Sequence, residues 1–166
     1  MAISTVGQNG LQQSQILTSV QMPTGSVLQV VNATYGTQVS TTSATFTATG
    51  LTATITPKFS TSKILVTVIH SGVATSAGGG GLAVQTQLFR NSTVILSLDS
   101  IGIYSNGSTQ STGTDGCATY LDSPATTSAV TYSTKFAARN GVATAYVQYS
   151  GGDPSNSTIT LMEIAG

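Results

Sequence analysis

Nine consecutive residues, Lys63-Ile-Leu-Val-Thr-Val-Ile-His-Ser71, constrain this chain more than any other stretch. The run is dense in β-branched side chains, which are stiff at χ1 and pack well on a pleated surface, so it reads as a strand. Alternation divides it into Ile64, Val66, Val68 and His70 on one face and Leu65, Thr67 and Ile69 on the other, and neither set suits open water. Such a strand belongs at the centre of a sheet. If one face meets a sandwich core, the other is free for a neighbouring subunit, which points to an oligomer. Leu65, Thr67, Ile69 and His70 are the candidates for its interface.

From Ser26 onward the chain is a series of short alternating runs separated by Gly, Ser, Asn and Asp. That is the pattern of an antiparallel sandwich or barrel, not of βαβ units. Val27 to Val31 is expected as the first strand and Tyr35 to Thr42 as a polar connection. Ala44, Phe46 and Ala48 are expected to face inward against Thr45, Thr47 and Thr49. After a break at Gly50, Leu51, Ala53 and Ile55 repeat the pattern with Thr52, Thr54 and Thr56 outside, until Pro57 removes a ladder donor. The four glycines Gly78 to Gly81 are expected as a flexible loop, because glycine has the most backbone freedom. A phosphate-cradling loop would need a Lys and a Ser or Thr in register, and they are missing. Leu82, Val84 and Leu88 lead through Arg90-Asn91-Ser92 into Val94, Leu96 and Leu98, a hairpin. Ser105 to Gly116, flanked by Tyr104 and Tyr120, is the longest polar excursion and is expected as a surface loop. Strands follow at Cys117–Leu121, with Cys117, Thr119 and Leu121 inward, and at 130–136, 143–149 and 158–164. About nine or ten strands fit an eight-stranded jelly roll with one or two accessory strands.

The length of 166 residues fits one domain with a real core. Charged residues are 6% of the chain, against about 25% in an ordinary soluble domain. Ser and Thr, roughly a third of all residues, take their place. The net charge is zero and no basic cluster occurs, which argues against counterion-driven nucleic-acid binding and against anionic membranes. No apolar run approaches the roughly 18 residues of a spanning helix, and the N-terminus lacks the features of a secretory signal. Cys117 is the only cysteine, so no intrachain disulfide or cysteine metal site is expected. Residues 1–25 differ from the rest: Gln8, Gln12, Gln13, Gln15 and Gln21 are interleaved with Ile16, Leu17 and Val20. They read either as a disordered leader or as an extended arm whose Ile16, Leu17 and Val20 dock onto another subunit or another protein, ahead of a head domain over residues 26–166.

No catalytic constellation is visible. His70 is the only histidine, and a Ser-His-Asp or Cys-His set would need a partner that nothing selects. No two acids fall at metal-ligand spacing within one loop, and no pair of carboxylates stands out for glycoside hydrolysis. Asp115 and Asp153 read as turn residues, and Cys117 as a small core residue. No cofactor, metal or catalytic residue is expected.

Several phrases resemble, taken together, a family of short virion proteins of tailed bacteriophages, common among phages of cyanobacteria and aquatic bacteria and usually described as tail-fibre-like. They are Gly25-Ser-Val-Leu-Gln-Val-Val31, Leu51-Thr-Ala-Thr-Ile-Thr-Pro57, Ser62-Lys-Ile-Leu-Val66, Leu88-Phe-Arg-Asn-Ser-Thr-Val94, Tyr120-Leu-Asp-Ser-Pro-Ala-Thr-Thr-Ser128 and the close Ser157 to Gly166. The resemblance spans about residues 25 to 166, and its motifs are structural. It implies a trimeric jelly roll similar to the tumour-necrosis-factor fold, assembled in the host cytoplasm and carried on the virion. On that reading the arm, through Ile16, Leu17 and Val20, holds other virion proteins. Gly78, Gly81, Tyr104, Asn106, Asp115 and Tyr120 are then candidates to touch a host-surface glycan. A capsid cement or decoration protein is the alternative. A carbohydrate-active enzyme on a jelly roll is a third reading from a different class.

Overall fold

The computed structural model describes residues 22–76, 82–103, 112–139, 143–151 and 155–166. Among them the chain forms ten strands: β1 (Val27–Tyr35), β2 (Val39–Thr41), β3 (Thr47–Ile55), β4 (Lys63–Ser76), β5 (Leu82–Arg90), β6 (Thr93–Ile103), β7 (Thr112–Asp122), β8 (Val130–Ala138), β9 (Thr144–Val147) and β10 (Ser157–Ile164). All pairings are antiparallel. One sheet runs β1-β10-β4-β7, with β9 and β2 continuing from the far end of β4, and the other runs β3-β8-β5-β6. With the short β2 and β9 set aside, the first of the remaining strands pairs with the eighth and the third with the sixth. In the facing sheet the second pairs with the seventh and the fourth with the fifth. That order is the double Greek key of a jelly roll.

The core follows from period-two alternation on facing strands. Leu51, Ala53 and Ile55 of β3 and Val130 and Tyr132 of β8 meet Ile64, Val66 and Val68 of β4 and Ile159 and Leu161 of β10. A second cluster, Val73, Val84, Phe136, Ala138, Ala145 and Val147, fills the other end. As expected, Thr52, Thr54 and Thr56 lie outside Leu51, Ala53 and Ile55. The hairpin also forms, with Arg90 opposite Thr93 and Asn91 in the left-handed region at φ 54°.

Three expectations are corrected. Ala48 is exposed and Thr49 buried, the reverse of the expected facing. The β3–β8 register slips between Ala48 and Thr52, around Gly50 at φ 87°, where a Cβ would sit 2.3 Å from the Tyr35 ring. The buried Thr49 hydroxyl pairs with the Thr134 hydroxyl at 2.6 Å, so it is satisfied where alanine was expected. Second, Cys117, Thr119 and Leu121 face outward, because they stand opposite Ile69, Thr67 and Leu65 of β4, and directly opposed residues of an antiparallel pair share a face. Third, the loop expected to reach Gly116 ends earlier: β7 begins at Thr112, and Thr112–Gly116 pairs with the second half of β4. The 35–42 connection likewise contains β2.

Two polar clusters tie the layers together. Arg90 on β5 donates to both carboxylate oxygens of Asp122 on β7, at 2.9 and 3.1 Å, and the Tyr132 hydroxyl on β8 donates to Asp122 at 2.7 Å. Burial first, and then this hydrogen bond, push the Tyr132 phenol far above its usual range. Glu163, fully buried on β10, accepts from the Gln29 amide and from the Lys58 backbone N–H. Burial alone would raise its pKa. The Ser62 hydroxyl, the Gln29 amide and the backbone N–H groups of Lys58 and Phe59 outweigh burial and hold it below the usual carboxylate range.

Candidate functional site: an apolar sheet face and a pocket between the sheets

The outer faces of the two sheets differ in chemistry. On the β3-β8-β5-β6 sheet, Thr54 and Thr131 share a hydroxyl bond, and Ser133, Gln85 and Gln87 stand beside Lys135, whose ammonium lies 4.3 Å from the Phe89 ring centre. That is a solvated face. On the β1-β10-β4-β7 sheet the register lines up Leu65 with Leu121 on one side and Met162 on the other, and Val30 with Met162. Below them run Thr67, Thr119 and Thr160, and then Ile69, Cys117 and Thr158. Val30 is 55% exposed, Ile69 43% and Leu121 48%, and with Val27 they are four of the five exposed large hydrophobic side chains among the described residues. Among the described residues, charge reaches this face only at its ends, with Lys63 beyond Leu65 and the exposed Asp115 beyond Cys117. The centre of the face is a row of branched and aliphatic side chains flanked by hydroxyls.

His70 does not belong to this face. It is 1% exposed on the inner side of β4, opposite Gly116, and it lines a cavity of about 210 Å³ with Val73, Thr86, Leu98, Asp115, Gly116 and Cys117. Gly116 lines it without a side chain. Among the described residues neither ring nitrogen of His70 has a hydrogen-bond partner, and burial lowers its pKa from 6.5 to about 4, so the ring is neutral at pH 7. Next to it β4 bulges. Gly72 takes φ 62°, its N–H donates to Asp115 Oδ1 at 3.2 Å, and its carbonyl accepts from the Tyr149 N–H at 2.9 Å. Gln148 is fully buried at φ 55°, and its amide donates to the Ser157 hydroxyl. No group of three His, Cys, Asp or Glu side chains able to hold a metal occurs among the described residues.

The structure therefore divides the residues marked in the sequence. Leu65, Thr67 and Ile69 lie together on the outer face, and His70 is removed from that group because the pleat turns it inward. Asp115 is exposed on β7, and Tyr120, on the same strand, packs against the core; neither is on a loop. Gly78, Gly81, Tyr104, Asn106, Ile16, Leu17 and Val20 lie outside the described residues. Sequence reading missed Val30, Thr119, Leu121 and Met162 as members of the face. Their sidedness is set by cross-strand register with β4, which no local pattern encodes.

No protein-family model matches the chain, and no curated protein matches it in sequence. Among solved structures, the chain is similar to particles derived from infectious bursal virus, at 11% identity and a TM-score of 0.40 over 84% of this chain and 37% of that one. It is also similar to the VP2 subviral particle of infectious bursal disease virus, at 11% identity and a TM-score of 0.34 over 84% of this chain and 40% of that one. The chain spans about two fifths of the length of those proteins.

Proposed function

We propose that this chain is a virion structural protein of a tailed bacteriophage: a homotrimeric tail-fibre or tail-tip component, held to the particle by its N-terminal arm and touching the host surface with its loops. The observation that carries this reading is the outer face of the β1-β10-β4-β7 sheet. Exposed Val30, Ile69 and Leu121 surrounded by threonine, on a chain with 6% charge, suit a surface that is covered by another subunit. The family resemblance supplies the particle, and the jelly-roll strand order agrees with it.

Light scattering on the full chain over a dilution series tests the assembly. A constant mass of three times 16.8 kDa is expected, and a monomer at all concentrations would overturn it. Locating the protein in a map of the particle tests the place. Density at the tail is expected, whereas density confined to the head would leave a capsid decoration protein.

A further inference from the structure

The cavity beside His70 joins properties that a packed core avoids: open space, a buried polar ring and no partner for that ring. Its lining comes from both sheets, with His70 and Val73 on β4 and Asp115, Gly116 and Cys117 on β7, against Thr86 on β5 and Leu98 on β6. The register shift of β4 between His70 and Val73 lets both of these residues be buried on the inner side, and bulges of this kind re-aim side chains beside sites. Thr86 stands opposite Leu98 across the β5–β6 ladder, so the two share a face and meet at the same wall. His70, Val73 and Thr86 are buried, whereas Asp115 and Cys117 are exposed. The cavity therefore has a closed end at the imidazole and a wet end at β7.

The polar groups define what fits there. A neutral imidazole carries one N–H donor and one bare nitrogen acceptor, and among the described residues His70 uses neither. A simple cation supplies donors alone and a simple anion acceptors alone, so each answers only one of the two nitrogens. A hydroxyl group answers both. Among the described residues no Lys or Arg lines the cavity, and the Asp115 carboxylate at its wet end disfavours an anion further. Thr86 adds a hydroxyl of its own, and Val73 and Leu98 offer apolar walls to a carbon skeleton. The volume of about 210 Å³ exceeds the roughly 150 Å³ that holds a benzene ring, which sets the size at one small ring or a short chain. A buried histidine without partners costs the fold stability, and a cost of that kind is expected where a residue serves binding instead.

We propose that this cavity is a binding site for a small, uncharged polyhydroxyl molecule. His70 donates one hydrogen bond to it and accepts another, the Thr86 hydroxyl shares in the contact, and Val73 and Leu98 pack against its carbons. The site requires neither the assembly nor the location proposed above.

Nitrogen-15 NMR of the uniformly labelled full chain tests this with glycerol as the probe, because the only histidine gives the only imidazole signals. Glycerol carries a hydroxyl on every carbon and is smaller than the cavity. The expected result is a saturable shift of both ring nitrogens, with a Kd on the order of 10 mM for so few atoms. Benzene and sodium acetate, titrated in the same way, are expected to bind more weakly than glycerol or not at all. If glycerol fails to saturate the shift even at molar concentration, water alone fills the cavity and the proposal is overturned. A tighter response to benzene or acetate than to glycerol overturns it as well. Thr86→Val, close in shape but without the hydroxyl, is expected to weaken glycerol binding about fivefold while near-ultraviolet circular dichroism is retained. An unchanged Kd in that variant would place the glycerol elsewhere and refute the site.

Discussion

His70 is where the chemistry of a residue and its surroundings disagree most. A buried polar atom without a partner costs about 1–3 kcal/mol, and both ring nitrogens are in that position. Because burial lowers its pKa from 6.5 to about 4, the unfolded chain binds a proton in that window that the folded chain refuses. Stability therefore falls as pH drops from 6.5 toward 4, by about 3 kcal/mol at the bottom, and is unaffected above it. Glu163 acts in the same sense at lower pH. Its depressed pKa gives stability that is present above 4.5 and lost as the carboxylate protonates. Replacing His70 by Leu is expected to leave stability at pH 7 unchanged or about 1 kcal/mol higher, and to abolish the loss between pH 6.5 and 4. Calorimetry of both proteins across that range checks it, and a parent whose melting temperature is flat from pH 6.5 to 4 would contradict the assignment.

At the scale of elements, the bulges decide which faces are seen. β4 keeps its alternation from Lys63 to His70 and then shifts register at Gly72, which lets one strand serve β10 with its first half and β9 with its end. Gly72 and Gly151 both have positive φ, but a Cβ on Gly72 would meet the Tyr149 carbonyl oxygen at 2.3 Å, whereas the nearest atom to one on Gly151 is 3.8 Å away. Gly151→Ala is expected to cost about 1 kcal/mol of backbone strain, and Gly72→Ala at least about 2 kcal/mol more because backbone must move. Equal costs in urea unfolding would show that the contact at Gly72 relaxes freely. The same features explain what the sequence disclosed. Leu51, Ala53 and Ile55 were legible because each is flanked by threonine, so only one facing is reasonable. Cys117 to Leu121 was not, because Ala118 and Tyr120 are as apolar as Cys117 and Leu121, and the facing comes from pairing with β4, far away in the chain. The inversion at Thr49 was hidden for a related reason, since a buried hydroxyl pair looks like surface until Thr134 is found opposite.

For the whole molecule, the period of two was enough to give an antiparallel sandwich, and the strand count brought it to a jelly roll. Which strands are neighbours is a matter of long-range closure that a sequence pattern does not carry. The apolar outer face was legible in part, through the excess of branched side chains on both sides of Lys63 to Ser71, and the register of β7 and β10 enlarges it. If that face is a subunit contact, a carboxylate placed in it loses water without gaining a partner, at about 3–5 kcal/mol, equivalent to a roughly hundred- to five-thousandfold weaker association. Ile69→Asp is therefore expected to convert the trimer to monomers at micromolar concentration while near-ultraviolet circular dichroism of the sandwich is retained. Val94, 43% exposed on β6 of the other sheet, provides the comparison because it matches Ile69 in exposure and differs in location. Val94→Asp should leave the mass unchanged. If both substitutions dissociate the protein, or neither does, exposure of a branched side chain on the β1-β10-β4-β7 sheet is not what marks the interface, and the subunits meet elsewhere.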